Sequence, residues 1–380
     1  MPASRLRLPV DPPRGWPRFD ERLRALAVTA RLGRVLGIAI GVCFVTGLLS
    51  HYQYQPWSWL PEPAHPSWGY RFTQGVHVTT GIASIPLLLV KLWSVYPRLF
   101  AWPPARSLVH ALERLSVGLL VAVALVEFTT GFLNVLAWYP WPWPFVAVHR
   151  FLGYLLVGSV LLHVAVKLPA IREALARPVG AGEPVAVTGL SRRGLLAATG
   201  AGVALVVTTT VGQSVGRLEP LALLAPRRRD RAPQHVPVNK TAAQARVRRV
   251  GPDWALVVDG PRPFTLPLAE LEVLAGAQAR LPIACVEGWS VDAHWRGVRL
   301  MDVVHRAGGD ADSTVHLRSL QPHGAYARST ISGSQLAAAL LATHLNGERL
   351  DLDHGYPVRL IAPDRAGVLN TKWLARVEIR

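Results

Sequence analysis

The sequence predicts a multi-domain chain: an N-terminal α-helical transmembrane bundle of four helices plus a fifth anchor helix, then a C-terminal mixed α+β domain. Three observations predict it. Half of the 380 residues are hydrophobic and only 17% are charged, unusual values for a water-soluble chain. The apolar residues gather into five stretches before residue 216, each near the roughly 20 residues that a bilayer demands. Beyond them the chain breaks into short alternating runs, with turn residues at roughly 8–15-residue intervals.

Residues 1–31 read as a cytoplasmic leader crowded with Arg5, Arg7, Arg14, Arg18, Arg22, Arg24 and Arg31. Four apolar stretches follow within residues 32–170, at 32–51, 74–95, 114–137 and 146–168. The loop after the second carries Lys91, Arg98, Arg106 and Arg114, and the one after the fourth carries Lys167, Arg172, Arg177, Arg192 and Arg193. Basic loops stay in the cytoplasm, so the N-terminus is expected inside and everything after residue 216 outside. Trp57, Trp59, Trp68, Trp138, Trp141 and Trp143 fall at the outer interface, where an amphipathic ring is favoured. The net charge of +17 invites a nucleic-acid reading. The arginines sit in the leader and in short loops, without a nucleic-acid-binding motif, so that class is excluded.

The fifth stretch, within residues 190–216, opens "SRRGLLAATGAG". A paired arginine ahead of a small-residue apolar helix reads either as an internal twin-arginine export signal or as an ordinary positively flanked anchor. The export reading gains weight if the domain that follows must fold around a bulky cofactor in the cytoplasm.

Ionisable residues at membrane depth point to function. His77 opens the second stretch, and His149 and His163 lie 14 residues apart on the fourth. On an α-helix that separation is about 21 Å, with both side chains on one face. Two imidazoles so placed suit the ligation of stacked haems. Gly81, Gly153 and Ser159 lie one turn from these histidines, where a small residue would let a porphyrin approach. The pattern resembles the dihaem cytochrome b subunits of formate dehydrogenases and nickel–iron hydrogenases. That resemblance implies haem b held by His77 and His149. A second haem on His163 is left open, because "ARLGRVLGIA" at 30–39 lacks the family's first-helix histidine. His110 is the available replacement, and His51 is an alternative to His77.

Residues 217–235 are rich in proline and arginine and read as a linker with solvated arginines. In residues 236–380, "WALVVDG" and "FTLPL" read as strands, while "LMDVVHRAGG" and "SQLAAALLATHLNG" read as helices. Four segments carry chemistry: "VPVNKTA", "CVEGWS", "LDHGYPVRLIAP" and "GVLNTKW". Cys285 is one of only two cysteines, so neither a disulfide framework nor a CxxC zinc site is expected.

In that order, the four segments resemble the sulfite oxidase family of molybdopterin enzymes, and more closely its bacterial methionine-sulfoxide reductase branch. The resemblance implies a molybdenum–molybdopterin cofactor with Cys285 as the protein's thiolate ligand. It places Asn239, Ser319, His354, Arg359, Asn370, Thr371 and Lys372 against the pterin. Tyr326 and Arg299, with Arg296 and Arg328, are candidates for substrate contact. Two departures matter. Sulfite oxidases carry an arginine pair soon after the ligand cysteine, where this chain has Val286, Glu287, Gly288 and Trp289. His354 is the sulfite-oxidase choice, where the reductase branch has asparagine. No immunoglobulin-like dimerisation domain is expected.

The expected function is therefore a membrane-bound molybdopterin-dependent oxidoreductase. It would move an oxygen atom and two electrons to or from a small extracytoplasmic S- or N-oxide or sulfite-like substrate, exchanging electrons through haem b. Its expected partners are that small molecule, the lipid bilayer, and a quinone or another redox protein. The competing expectation is an anchored pterin- or partner-binding protein without haem and without redox turnover.

Overall fold

A computed structural model describes residues 15, 21–57, 59–60, 62–180, 189–212, 215, 217–247, 250–251 and 253–380. Most of the arginine-rich leader, including Arg5, Arg7, Arg14 and Arg18, lies outside the described residues. The chain divides into two compact units, one of Met1–Val45 with His77–Thr209, the other of Thr46–Val76 with Thr210–Arg380.

Among the described residues, five helices are long and apolar enough to cross a membrane. They are α1 (Leu26–Tyr54), α2 (Gly69–Val95), α3 (Leu108–Val135), α4 (Phe145–Ala176) and α5 (Arg192–Val211). Ser107 caps α3 by accepting the His110 N–H at 3.2 Å, satisfying one of the donors that a helix start leaves orphaned. Ser191 likewise accepts the Gly194 N–H at the start of α5. The first unit packs Leu36, Ile40, Leu87, Leu88, Val123, Ala124 and Leu156 into one apolar core. Val35, Ile38, Leu115, Leu161 and Leu205 remain exposed, which is consistent with helices whose outer surface faces lipid.

In the second unit, β1 (Ala255–Asp259) and β2 (Phe264–Pro267) fall on the two runs expected to be strands. They are followed by α6 (Leu268–Leu274), β3 (Ala277–Ala284), β4 (Ser290–Arg299), α7 (Leu300–Arg306) and β5 (Val315–Ser319). Then come β6 (Arg328–Ile331), α8 (Gly333–Ala338), β7 (Leu340–Leu345), β8 (Glu348–Arg349), β9 (Arg359–Ile361) and β10 (Leu374–Ile379). One sheet runs β2-β1-β10-β5-β6; the other runs β3-β4-β7-β8, with β9 on the far side of β7. Among the strands of the described residues, β1 and β10 pair in parallel and the other ladders are antiparallel.

The segment 334–347 is a correction to the sequence reading. Its helix stops at Ala338, and Leu340–Leu345 is a strand. An alanine- and leucine-rich run is a strong helix former, but Leu340, Leu341, Ala342 and Leu345 are buried between β4 and β9. A strand buried on both faces reads as a continuous apolar run, which periodicity alone does not separate from a helix. The proline- and arginine-rich 217–235 region is also more than a solvated connection. Ala222 and Ala225 are buried, and Arg227, Arg228 and Arg229 pair with Glu287, Asp230 and Glu219.

Candidate active site

Cys285 sits in the turn joining β3 to β4. Its N–H donates to the Trp289 carbonyl at 2.9 Å, and the Gly288 N–H donates to the Cys285 carbonyl at 3.0 Å. Gly288 takes φ +91°, a left-handed conformation that glycine adopts without steric cost. The turn holds the thiol in the interior at 2% exposure. Burial, reinforced by the Glu287 carboxylate, pushes the thiol far above its ordinary range, so a bound cation is needed to hold it as a thiolate.

Around the sulfur, Pro237, Val238, Asn239, Ile283, Trp289, His354, Arg359, Gly367 and Lys372 line one narrow cleft. Arg359 is on β9, between buried Val358 and Leu360. It donates through Nη1 to the His354 carbonyl at 3.0 Å and through Nη2 to the Asn370 carbonyl at 3.2 Å. Its guanidinium lies over the Trp295 ring at 5.4 Å. Its Nε is buried without a hydrogen-bond partner, and burial lowers its pKa to about 9.

His354 ends a short 3-10 turn, Leu352–His354. Its Nε2 lies 2.8 Å from the Pro233 carbonyl, which assigns the proton to Nε2. Burial drops its pKa to about 4, with Arg359 and Lys372 adding to the drop against the Pro233 carbonyl, so the ring is neutral at pH 7. Lys372 donates to the carbonyls of Lys240 (2.5 Å) and Asp353 (2.9 Å). Burial, then the Arg359 charge, lowers its pKa to about 7.

Asn370, Thr371 and Ser319 stand behind this wall rather than in the cleft lining. Asn370 Oδ1 accepts the Ala362 N–H at 3.0 Å, and Thr371 shares a hydroxyl contact of 2.6 Å with Ser329. Ser319 Oγ donates to the Lys372 carbonyl at 2.7 Å. Each fixes a backbone segment that carries a lining residue.

The structure does not bring Tyr326 and Arg299 to the cleft. The Tyr326 hydroxyl meets the Tyr54 hydroxyl at 2.6 Å. The Arg299 side chain is 67% exposed and pairs with Asp302 at 3.0 Å. It ends β4, nine residues beyond Ser290, which at roughly 3.3 Å per residue is about 30 Å of strand. Arg296 is bonded to His344, and Arg328 is exposed on β6. The lining residues not singled out from the sequence were close at hand. Pro237 and Val238 precede Asn239, Trp289 ends the thiol turn, and Gly367 opens the last motif.

The cleft lining carries Arg359, Lys372 and His354 but no carboxylate. The orphaned Arg359 Nε asks for an acceptor, and the thiol asks for a metal. A phosphate-bearing, hydrogen-bonding pterin with a thiolate-bound metal fits that donor set. Residues 242–380 match the family described as oxidoreductase molybdopterin binding domain.

Residues 242–380 carry an oxidoreductase molybdopterin-binding domain, and the chain is similar there to sulfite oxidases.

Among its relatives, mitochondrial sulfite oxidase of Drosophila melanogaster is 27% identical over 38% of this chain and 29% of its own length. The human mitochondrial sulfite oxidase is 37% identical over 23% of this chain and 18% of its own. The chain therefore spans less than a third of these relatives. A crystal structure of the sulfane dehydrogenase SoxCD from Paracoccus pantotrophus is 20% identical, with TM-score 0.32, over 35% of this chain and 39% of that one.

In the first unit, the His77 and His149 rings lie 6.1 Å apart between centroids and are mutually perpendicular. His77 Nδ1 is 2.8 Å from the Cys43 carbonyl, and His149 Nδ1 is 3.2 Å from Glu127 Oε1. Gly81 faces Cys43 Sγ, and Gly153 faces Glu127 Oε1.

Proposed function

We propose that the protein is a membrane-bound molybdopterin-dependent oxidoreductase that transfers an oxygen atom and two electrons to or from a small extracytoplasmic substrate. The observation that carries this reading is the single buried thiol of Cys285 in a cleft whose charged side chains are all basic. When bound, the cofactor supplies the oxygen-atom and two-electron chemistry. Cys285 would hold the metal, Arg359 and Lys372 the anionic end of the pterin, and neutral His354 and Asn239 its polar rings. Asn370, Thr371 and Ser319 hold the backbone on which these groups stand.

Electrons are exchanged through one haem b held by His77 and His149. Two features support that role. The rings face one another, and each Nδ1 lies near a backbone or carboxylate oxygen, which is how ligating imidazoles are oriented elsewhere. The five apolar helices are consistent with anchoring in a membrane. The N-terminus is cytoplasmic, the cofactor domain lies outside, and α5 with its Arg192–Arg193 pair serves its export.

The substrate is a neutral S- or N-oxide rather than sulfite. Where sulfite oxidases have an arginine pair, this turn carries Glu287, buried and bonded to Trp289 Nε1 at 3.1 Å. Arg227 pairs with that carboxylate at 3.2 Å and is occupied by it. Purified protein is expected to contain one molybdenum per chain and a b-type α-band after dithionite reduction. It is expected to turn over methionine sulfoxide faster than sulfite. Protein without molybdenum would refute the enzymatic reading; faster turnover of sulfite would refute the substrate class.

A further inference from the structure

Residues Thr46–Val76, the end of α1, the connecting segment and the start of α2, belong to the compact unit that holds the cleft. Several of their contacts fall on the two chain segments next to the cleft, the thiol turn and the loop from Ala362 to Asn370. The Gln74 side-chain amide donates to the Val286 carbonyl at 3.1 Å, one residue past Cys285. Tyr70, one turn earlier on α2, is 2% exposed and packs with Ala284, Val286, Ala366 and Val368. The apolar cluster it belongs to includes both chain neighbours of Cys285.

The same turn of α2 is capped from the cofactor domain. Asp364 accepts the Tyr70 backbone N–H and, at 2.8 Å, the Gln53 amide. A carboxylate at a helix N-terminus satisfies orphaned donors and meets the positive end of the helix dipole. A Cβ at Gly69 would lie 2.6 Å from Asp364 Oδ1, so a side chain there would displace the capping carboxylate. Two residues after Asp364, Ala366 bridges back to Ala284 in parallel. Four residues further on are Asn370, Thr371 and Lys372. The contacts close a ring: α2, Asp364, Ala366, Ala284, Cys285, Val286, Gln74 and α2 again.

We propose that Gln74 is a positioning residue for the Cys285 sulfur, and that the first turns of α2 set the thiol turn and the Ala362–Asn370 loop as one body. A substitution on α2 then changes the metal site without touching any group that lines it. The inference rests on Cys285 being the metal ligand.

The test uses the full chain purified in detergent. Gln74→Leu keeps the bulk and removes the donor. It is expected to retain molybdenum within twofold of wild type, to alter the electron paramagnetic resonance spectrum of the partly reduced metal centre, and to lower kcat about 10-fold with KM little changed. Asp364→Ala is expected to alter the same spectrum, whereas Asp364→Asn, which keeps an acceptor for the Tyr70 N–H, leaves it near wild type. This pair decides the matter if Gln74→Leu fails to fold. Gln74→Leu and Asp364→Ala proteins with full metal and a wild-type spectrum would overturn the inference. Wild-type protein without molybdenum would instead overturn the reading on which it rests.

Discussion

Arg359 is buried at 3% exposure with no carboxylate partner. A buried cation in that state is costly unless an anion completes it. Its planar fork engages two carbonyls at once, and lysine cannot reproduce that fork. Arg359→Lys is expected to lower cofactor occupancy at least about 10-fold, measured as molybdenum per chain. Arg299→Ala, which alters an exposed ion pair, is expected to change neither occupancy nor kcat/KM by more than about twofold.

His354 gives a pH signature in the cofactor-free protein. Its folded pKa of about 4 lies below the ordinary value near 6.5. The unfolded chain therefore binds the proton more readily. The neutral ring's contribution is present above about pH 6.5 and is lost as pH falls to about 4. At 2% exposure that contribution is on the order of 3 kcal/mol. Denaturant midpoints at pH 7 and pH 4.5 should differ less in His354→Asn than in wild type. The lining residues Cys285, Asn239, His354, Arg359 and Lys372 were legible in the sequence because each sits in a short motif whose neighbours travel with it. The length of β4 carries Arg299 away from the thiol turn, whereas Tyr326 packs on the cluster of Tyr70, Ala284, Ala366 and Val368 beside that turn and shares its hydroxyl contact with Tyr54.

At the scale of elements, the turn after the Leu352–His354 segment is the most constrained. Gly355 has φ +107°, and a Cβ there would lie 3.0 Å from Lys372 Cβ and 3.2 Å from Arg359 Cβ. Gly355→Ala is expected to cost about 1–3 kcal/mol, read as a lower thermal midpoint, and to release cofactor because the strain falls between two lining residues. On α2 and α4, His77→Leu or His149→Leu is expected to abolish the dithionite-reduced α-band. His163→Leu should leave it in place; loss of the band in that variant would move the haem to the other end of α4. The long helices and β1 and β2 were legible from hydrophobic period and length. The strand at Leu340–Leu345 was not, because burial on both faces erases the alternation that marks a strand.

Across the whole molecule, the division of the chain departs from the division of its composition. Composition changes near residue 217, yet Thr46–Val76 packs with the C-terminal unit. Arg71 pairs with Asp292, and Arg365 pairs with Glu62. Sequence separations of more than 200 residues leave no local trace, so no periodicity or motif could report these pairs. The arginines of 217–235 were hidden in the same way, since Arg227 finds Glu287 only in the folded domain. The bond between Cys285 and a metal underlies both the proposed activity and the role of Gln74. Molybdenum per chain, counted by elemental analysis in purified Cys285→Ser beside wild type, tests it most directly. The account predicts about one atom in wild type, a large loss in the variant and no turnover. A variant that keeps its full molybdenum and wild-type turnover would contradict it.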